Sequence, residues 1–243
     1  MFLLPIAIPS YRRSKIISKK TLRFLHEVDY PTKLITIFVA NQEEAELYKS
    51  DISPDLYGQI VTGVLGLKEQ RNFISQSYPE DIIIVQMDDD VDRIVCPYLS
   101  FQQILQKGYI ELTLNNCGLW GIMPNDDGRK MSDVVTTHLT HILGSFFICR
   151  NHRDIILTTN EKEDYERSII YFLRYGSVRR YKGAGVRTKY GINEGGLQQP
   201  GRIGRMADES KYLSEKYPTL CKIITKKEMP DLRLNWHATN TVL

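Results

Sequence analysis

Cysteine is scarce: Cys96, Cys117, Cys149 and Cys221 are the only four in 243 residues, and no two form a CxxC pair. That spacing argues against a zinc site or a disulfide framework and points to reduced thiols in a cytosol-like compartment. An excess of charge of one sign is also missing. The formal net charge is +3, too small to imply a nucleic-acid partner unless the basic residues cluster. No apolar run reaches the length of a membrane span. The run from Met1 to Ile8 is bracketed by Pro5 and Pro9 and followed, not preceded, by basic residues, which is not a signal-peptide layout. It reads as a first buried strand. With no anchor or export signal, the expected location is the cytoplasm (the host's, for a virus or phage), with soluble or intracellular acceptors and no membrane partner. Repeats, low-complexity tracts and linkers are missing too, so one large α/β unit over 1–243 is expected.

What is present is a regular alternation. Leu3 to Ile8, Leu34 to Val39, Ile60 to Val64 and Asp81 to Gln86 read as strands, the β-branched runs being typical of strands buried on both faces. Between them, Lys19 to Val28, Glu43 to Lys49 and Leu67 to Ser77 read as helices. This order predicts an α/β fold with a Rossmann-like, mostly parallel sheet and helices on both faces. Right-handed crossovers place the loops after each strand along one edge, where open α/β sheets bind ligands. The loops Pro9 to Arg13, Ala40 to Gln42, Gly63 to Gly66 and Met87 to Asp90 should therefore converge on one site. The second half is less regular, with strands expected near Cys117 to Met123 and Ser145 to Cys149 and a helix from Glu163 to Tyr175.

Asp88-Asp89-Asp90 follows directly on the most strand-like segment. Adjacent carboxylates repel unless a cation or strong donors neutralise them. Alternate residues of an extended segment face the same way, so Asp88 and Asp90 can hold one ion between them. Hard oxygen ligands select Mg²⁺ or Mn²⁺, ions that bridge to substrate phosphates. An acidic surface turn is the bland alternative, and the position after a buried strand favours the metal. Gly63-Val64-Leu65-Gly66 allows close backbone approach to a ligand, and Arg71, beside Asn72, has two candidate partners, a phosphate or the acidic loop. The acidic run Glu161 to Glu166 opens a helix and is explained by the helix dipole alone, the functional alternative being a general base at Glu163 or Asp164. His237 is a lone histidine near the C-terminus. Gly195-Gly196-Leu197-Gln198 reads as a glycine-rich loop of the lid type. Two basic clusters remain. Arg12, Arg13, Lys15, Lys19 and Lys20 follow the first strand, where a donor diphosphate is one partner. Arg174, Arg179, Arg180, Lys182, Arg187 and Lys189 are interleaved with Tyr175, Tyr181 and Tyr190, a pattern suited to phosphates and stacked bases.

These pieces, in this order, resemble the GT-A glycosyltransferases: a Pro9-Ser10-Tyr11 first-strand loop, an acidic DxD-type motif at Asp88 to Asp90, a Glu163-Asp164 pair opening a helix, and a C-terminal histidine. The resemblance implies transfer of a sugar from a UDP-sugar (UDP-glucose or UDP-N-acetylglucosamine type). Residues 1–92 would form the nucleotide-sugar half and 93–243 the acceptor half. Asp88 and Asp90, with His237 as a third ligand, would hold Mn²⁺ or Mg²⁺. Pro9, Ser10, Tyr11, Arg12, Arg71, Asp88 and Asp89 would contact the donor, and Asp164, or its neighbour Glu163, would be the base of an inverting displacement. A narrower likeness rests on Arg71-Asn72, Met87 to Val91, Glu163 to Ser168, Gly195 to Gln198 and Lys216-Tyr217-Pro218. These segments are similar to the TET/JBP-associated glycosyltransferases, which implies DNA carrying hydroxymethylated pyrimidines as acceptor, with Arg179, Arg180 and Lys182 on the DNA-contacting surface. The alternatives are a glycan or protein acceptor, a nucleotidyltransferase, for which the glycine-rich Lys/Arg signature after the first strand is missing, and an inactive nucleic-acid-binding module.

Overall fold

The computed structural model describes residues 3–188, 200–226 and 229–239. Its frame is set by four short parallel strands, three of them wholly buried. β1 (Ile6–Pro9) lies between β2 (Ile35–Val39) and β4 (Ile83–Met87), and β3 (Gln59–Thr62) adds outside β2, all four parallel. Alternation sorts each strand's side chains between the two faces. Ile6, Ile8, Ile37, Val39, Val85 and Met87 enter one core, while Ala7, Phe38 and Ile84 enter the other.

The crossovers supply the covering helices. After β1, α1 (Ser14–Ile17) passes through a π-helical turn, Ser18–Leu22, into α2 (Arg23–Glu27). This helical segment begins ahead of the expected Lys19 because Ser14 and Ile17 are already buried against the core. α3 (Gln42–Asp51) is capped by Asn41, whose side chain accepts the Glu44 N–H at 2.9 Å. α4 (Leu67–Ser77) begins at Gly66, whose φ of 105° is costly for any side chain but glycine.

Beyond β4 the sheet becomes mixed. β8 (Phe146–Arg150) joins β4 antiparallel, followed by β6 (Leu119–Met123), β9 (Arg179–Arg187) and the short β5 (Arg93–Val95), with β7 (Val135–Thr136) also on β9. Parallel pairing thus governs the first half, and a nine-stranded α/β sheet with helices on both faces results among the described residues. α5 (Phe101–Leu114) carries a capping box of Ser100 and Gln103 and buries Phe101, Ile104, Leu105, Gly108 and Leu112. Gly108 is required there: an added Cβ would lie 2.5 Å from Ile148 and 2.9 Å from Trp120. On the other face pack α6 (Glu163–Tyr175) and α7 (Arg202–Lys216), together with the hairpin of β10 (Cys221–Lys226) and β11 (Met229–Leu234). All four cysteines are free thiols. No helix among the described residues is long and apolar enough to cross a membrane.

Candidate active site

The four expected loops do converge. Pro9 to Tyr11 and Arg13 after β1, Ala40 after β2, Val64 to Gly66 after β3 and Asp88 to Asp90 after β4 line one pocket of about 520 Å³, within the range of small-molecule sites. The rest of its lining comes from Leu143 to Ser145 ahead of β8, the α6 start (Asn160, Glu161, Glu163, Asp164), Thr188, and Arg202, Arg205 and Glu209 of α7.

The acidic loop is held residue by residue. Asp89 turns inward, accepting from Ser10 Oγ at 2.6 Å and from Arg13 Nη1 at 3.0 Å. Since Ser10 spends its proton on Asp89, the 2.7 Å contact to Tyr48 is donated by the Tyr48 hydroxyl, which in turn accepts the Arg13 N–H at 2.9 Å. Burial pushes the Tyr48 phenol well above its usual range, so it stays protonated for this duty. Asp88 and Asp90 are less buried than Asp89, as alternation predicts. Asp88 Oδ1 accepts from Arg71 Nη2 at 2.7 Å, and Asp90 Oδ1 from Thr188 Oγ1 at 3.1 Å. Thr21, in the π-helical turn, clamps the loop backbone: its hydroxyl donates to Asp88 O at 2.8 Å and accepts the Val91 N–H at 3.0 Å.

Burial pushes both Asp88 and Asp89 up to about 6, with Arg71 opposing it at Asp88 and Arg13 at Asp89. The like charge of Asp90 adds to that push at both residues, and a bound cation would relieve it. A second observation agrees. Ser145 Oγ, buried in the pocket wall, makes no hydrogen bond. Two accessible carboxylates and a hydroxyl are hard oxygen donors, and Mg²⁺ or Mn²⁺ is commonly held by one or two carboxylates plus substrate phosphates, not by a full protein cage. The residues present therefore fit such an ion. Among the described residues only Glu80, Asp81 and His152 bring three ligand-type atoms within 4.8 Å. That group lies at the opposite edge of the sheet, where His152 Nδ1 already bonds Glu80 Oε1 at 2.6 Å.

Other expected residues are placed differently. Arg71 is 3% exposed and does not line the pocket. Of its two expected partners it takes the acidic loop, bonding Gln86 Oε1 at 2.9 Å and Gly144 O at 3.0 Å as well as Asp88. Arg12, at φ 55°, is exposed and its guanidinium lies over the Tyr11 ring, while Arg13 takes the inward position. His237 is exposed beside Trp236 on the turn after β11 and does not line the pocket, so the chain does not bring it to the acidic loop.

The basic, tyrosine-rich stretch is not one surface. Arg179 pairs with Glu111 at 2.7 Å, Arg180 is half-buried and donates to His141 O at 3.3 Å, and Lys182 is half-buried on the same strand. Tyr181 is fully buried and stacks on Trp120, since strand alternation turns it into the core. Arg174 pairs with Asp154, and Arg187 with Asp126 at 2.5 Å. Lys189, Tyr190 and Gly195 to Gln198 lie outside the described residues.

At the start of α6 the two acids differ. Glu163 is buried, paired with Arg167 and 4.0 Å from Arg71 Nε. Asp164 Oδ1 accepts the Tyr165 N–H at 2.9 Å, and Oδ2 lies 2.7 Å from His141 Nε2. Burial alone would raise the Asp164 carboxyl, but the charge and hydrogen bond of His141, then Arg167 and Lys162, outweigh it and hold it at about 2. Glu209 accepts the N–H groups of Asn160, Glu161 and Lys162 at 2.6–3.0 Å, tying α7 to this helix start. Thr21, His141, Thr188 and the α7 residues belong to none of the segments that the sequence marks for the site, whereas Arg13 lies in one of the converging loops. Only Arg13 had a signal, as part of a basic cluster.

No protein-family model matches this sequence, and no curated protein matches it. Solved structures do match. A mannosyltransferase, PcManGT from Pyrobaculum calidifontis, in complex with GDP-Man and Mn²⁺, is 14% identical with a TM-score of 0.53, over 88% of this chain and 63% of that one. TarS 1–349 of S. aureus in complex with UDP is 14% identical with a TM-score of 0.51, over 90% of this chain and 72% of that one. Glucosyl-3-phosphoglycerate synthase from Mycobacterium tuberculosis, with Mn²⁺, UDP and glucosyl-3-phosphoglycerate, is 11% identical with a TM-score of 0.55, over 98% of this chain and 89% of that one. This chain therefore spans under two thirds of the mannosyltransferase. The shared feature is the GT-A fold, and a fold by itself does not assign a reaction.

Proposed function

We propose that this chain is a divalent-metal-dependent glycosyltransferase that moves a sugar from a nucleoside-diphosphate donor to a hydroxyl acceptor. The observation that carries this reading is one pocket lined both by the acidic loop Asp88 to Asp90 and by Asp164. Leaving-group stabilisation and proton removal are needed at opposite ends of a displacement, and this pocket has a group for each. Asp88 and Asp90 would hold Mn²⁺ or Mg²⁺, which supplies electrostatic stabilisation of the departing diphosphate when bound. Asp89, fixed by Ser10 and Arg13, sets the loop's shape, and Arg71 orients Asp88 from behind. The Glu163 side chain is buried between Arg167 and Arg71, whereas that of Asp164 is more exposed, so Asp164 is the carboxylate offered to an acceptor hydroxyl. A single displacement with Asp164 as base inverts the anomeric carbon.

A UDP-sugar is the donor to test first, with GDP-mannose beside it because the structural neighbours include complexes of both nucleotides. For the acceptor, a 5-hydroxymethylpyrimidine in DNA rests on motif resemblance alone. The strand that was to contact DNA has Arg179 and Arg180 already engaged. Mass spectrometry of hydroxymethylated DNA and of a glycan panel, incubated with Mn²⁺ and UDP-glucose, UDP-N-acetylglucosamine or GDP-mannose, tests the proposal. An added sugar mass, lost in Asp88→Ala and Asp164→Ala, is the expected result. Absence of both transfer and hydrolysis with every donor would overturn it, and addition of a nucleotide would replace it with nucleotidyl transfer.

A further inference from the structure

His141 lies in the loop between β7 and β8 and belongs to none of the motifs above, yet it makes the shortest side-chain contact to Asp164, Nε2 to Oδ2 at 2.7 Å. A carboxylate oxygen and a ring nitrogen this close need a proton between them, so Nε2 is the donor. The imidazole is itself fixed. Its ring stacks on Tyr165, centroids 3.9 Å apart and planes 5° from parallel, and its carbonyl accepts from Arg180. Asp164 lines the pocket and His141 does not, so anything His141 does for the chemistry it does through Asp164.

We propose that His141 is a positioning residue for the transfer step, locking the Asp164 carboxylate in orientation by a second hydrogen bond opposite the one from the Tyr165 N–H. The proposal rests on the glycosyltransferase reading with Asp164 as base. A carboxylate held at one oxygen rotates about its terminal torsion, whereas one held at both keeps its remaining lone pairs aimed in one direction. Orientation of this kind matters because a misplacement of about 1 Å costs a reaction on the order of 10²-fold. The charged groups around the pair are Lys162 and Arg167 on α6 and Arg180 on β9. None of them donates a hydrogen bond to Asp164 Oδ2, so His141 is the group that holds that oxygen among the described residues.

His141 also keeps Asp164 ionised against the effect of burial, which gives the test a second readout. Release of nucleoside diphosphate from UDP-glucose, UDP-N-acetylglucosamine and GDP-mannose, with saturating Mn²⁺ and water as acceptor, is followed against pH. His141→Phe keeps a ring on Tyr165 but removes the donor, and His141→Gln restores a donor. Phe is expected to lower kcat about 10²-fold with donor KM within twofold, and to move the acid limb of kcat upward in pH as burial is then opposed by Arg167 and Lys162 without His141. Gln should recover part of both effects. Wild-type kcat and pH profile in His141→Phe would overturn the proposal, as would a loss confined to KM. Should the wild type hydrolyse none of the donors and transfer from none of them to the acceptors above, the glycosyltransferase reading fails, and the positioning is judged from imidazole ¹⁵N shifts. A proton on Nε2 of His141 that responds to Asp164→Asn upholds the pairing, and no response overturns it.

Discussion

Arg71→Met is the most direct probe of how the acidic loop is built. Arg71 is buried at 3% exposure, and its guanidinium binds Gln86, Asp88 and Gly144 while lying over the Phe147 ring. Met preserves much of the stem and its packing but removes every donor. Two buried neutral acceptors then lose a partner, at about 1–3 kcal/mol each where no water replaces it. Asp88 loses its ion pair, although its side chain is 35% exposed, so solvent screens part of that loss. Glu163 keeps Arg167. Breaking a buried pair from one side typically costs about 3–5 kcal/mol, and the screening of Asp88 puts the expectation at the lower end, about 3 kcal/mol. For a chain of 243 residues that is a Tm lowered by about 6–12 °C. Urea denaturation and thermal melting measure both. Arg71→Lys should recover part of the loss, since a point charge restores the Asp88 pairing but not the three-way fork. An Arg71→Met protein within about 1 kcal/mol of wild type, the size of an ordinary surface substitution, would refute the view that this guanidinium ties β4, β8 and the acidic loop together.

Asp88→Asn should abolish the Tm gain produced by Mn²⁺ and lower the Tm of the metal-free protein by less than Arg71→Met does, because Asn still accepts from Arg71 but no longer neutralises it. The folded pKa of Asp164, lowered to about 2, contributes stability that is fully present above the unfolded value of about 3.9 and is lost as pH falls through the folded one, about 2 kcal/mol in all. The stability gap between wild type and His141→Phe should therefore narrow between pH 5 and pH 2 in urea titrations. Gly108→Ala, a stabilising change in most helices, should here destabilise by about 1–3 kcal/mol in thermal melts because its Cβ meets Ile148 and Trp120.

The sequence by itself determined the alternating strands and helices of the first half, the convergence of their loops, and the acidic run at the carboxyl edge. These follow from short-range causes: β-branched runs make buried strands, handedness sorts the crossovers, and a charged triplet after a buried strand has one place to go. The spans of α4 and α6 were legible to the residue for the same reason. α5 lies outside the elements expected from the sequence, although it has apolar residues at helical spacing behind a capping box. Only the tertiary structure decided which charged groups face the pocket. Arg13 and not Arg12 points inward because of a left-handed turn at Arg12. Arg71 reaches Asp88 because α4 packs beneath the β4 loop, and Tyr181 is core because β9 is an inner strand. His141 meets Asp164 across 23 residues of chain. Local patterning governs which elements form, but a side chain's charge partner depends on what the packing of distant elements brings within about 3 Å, and no spacing along the chain encodes that distance.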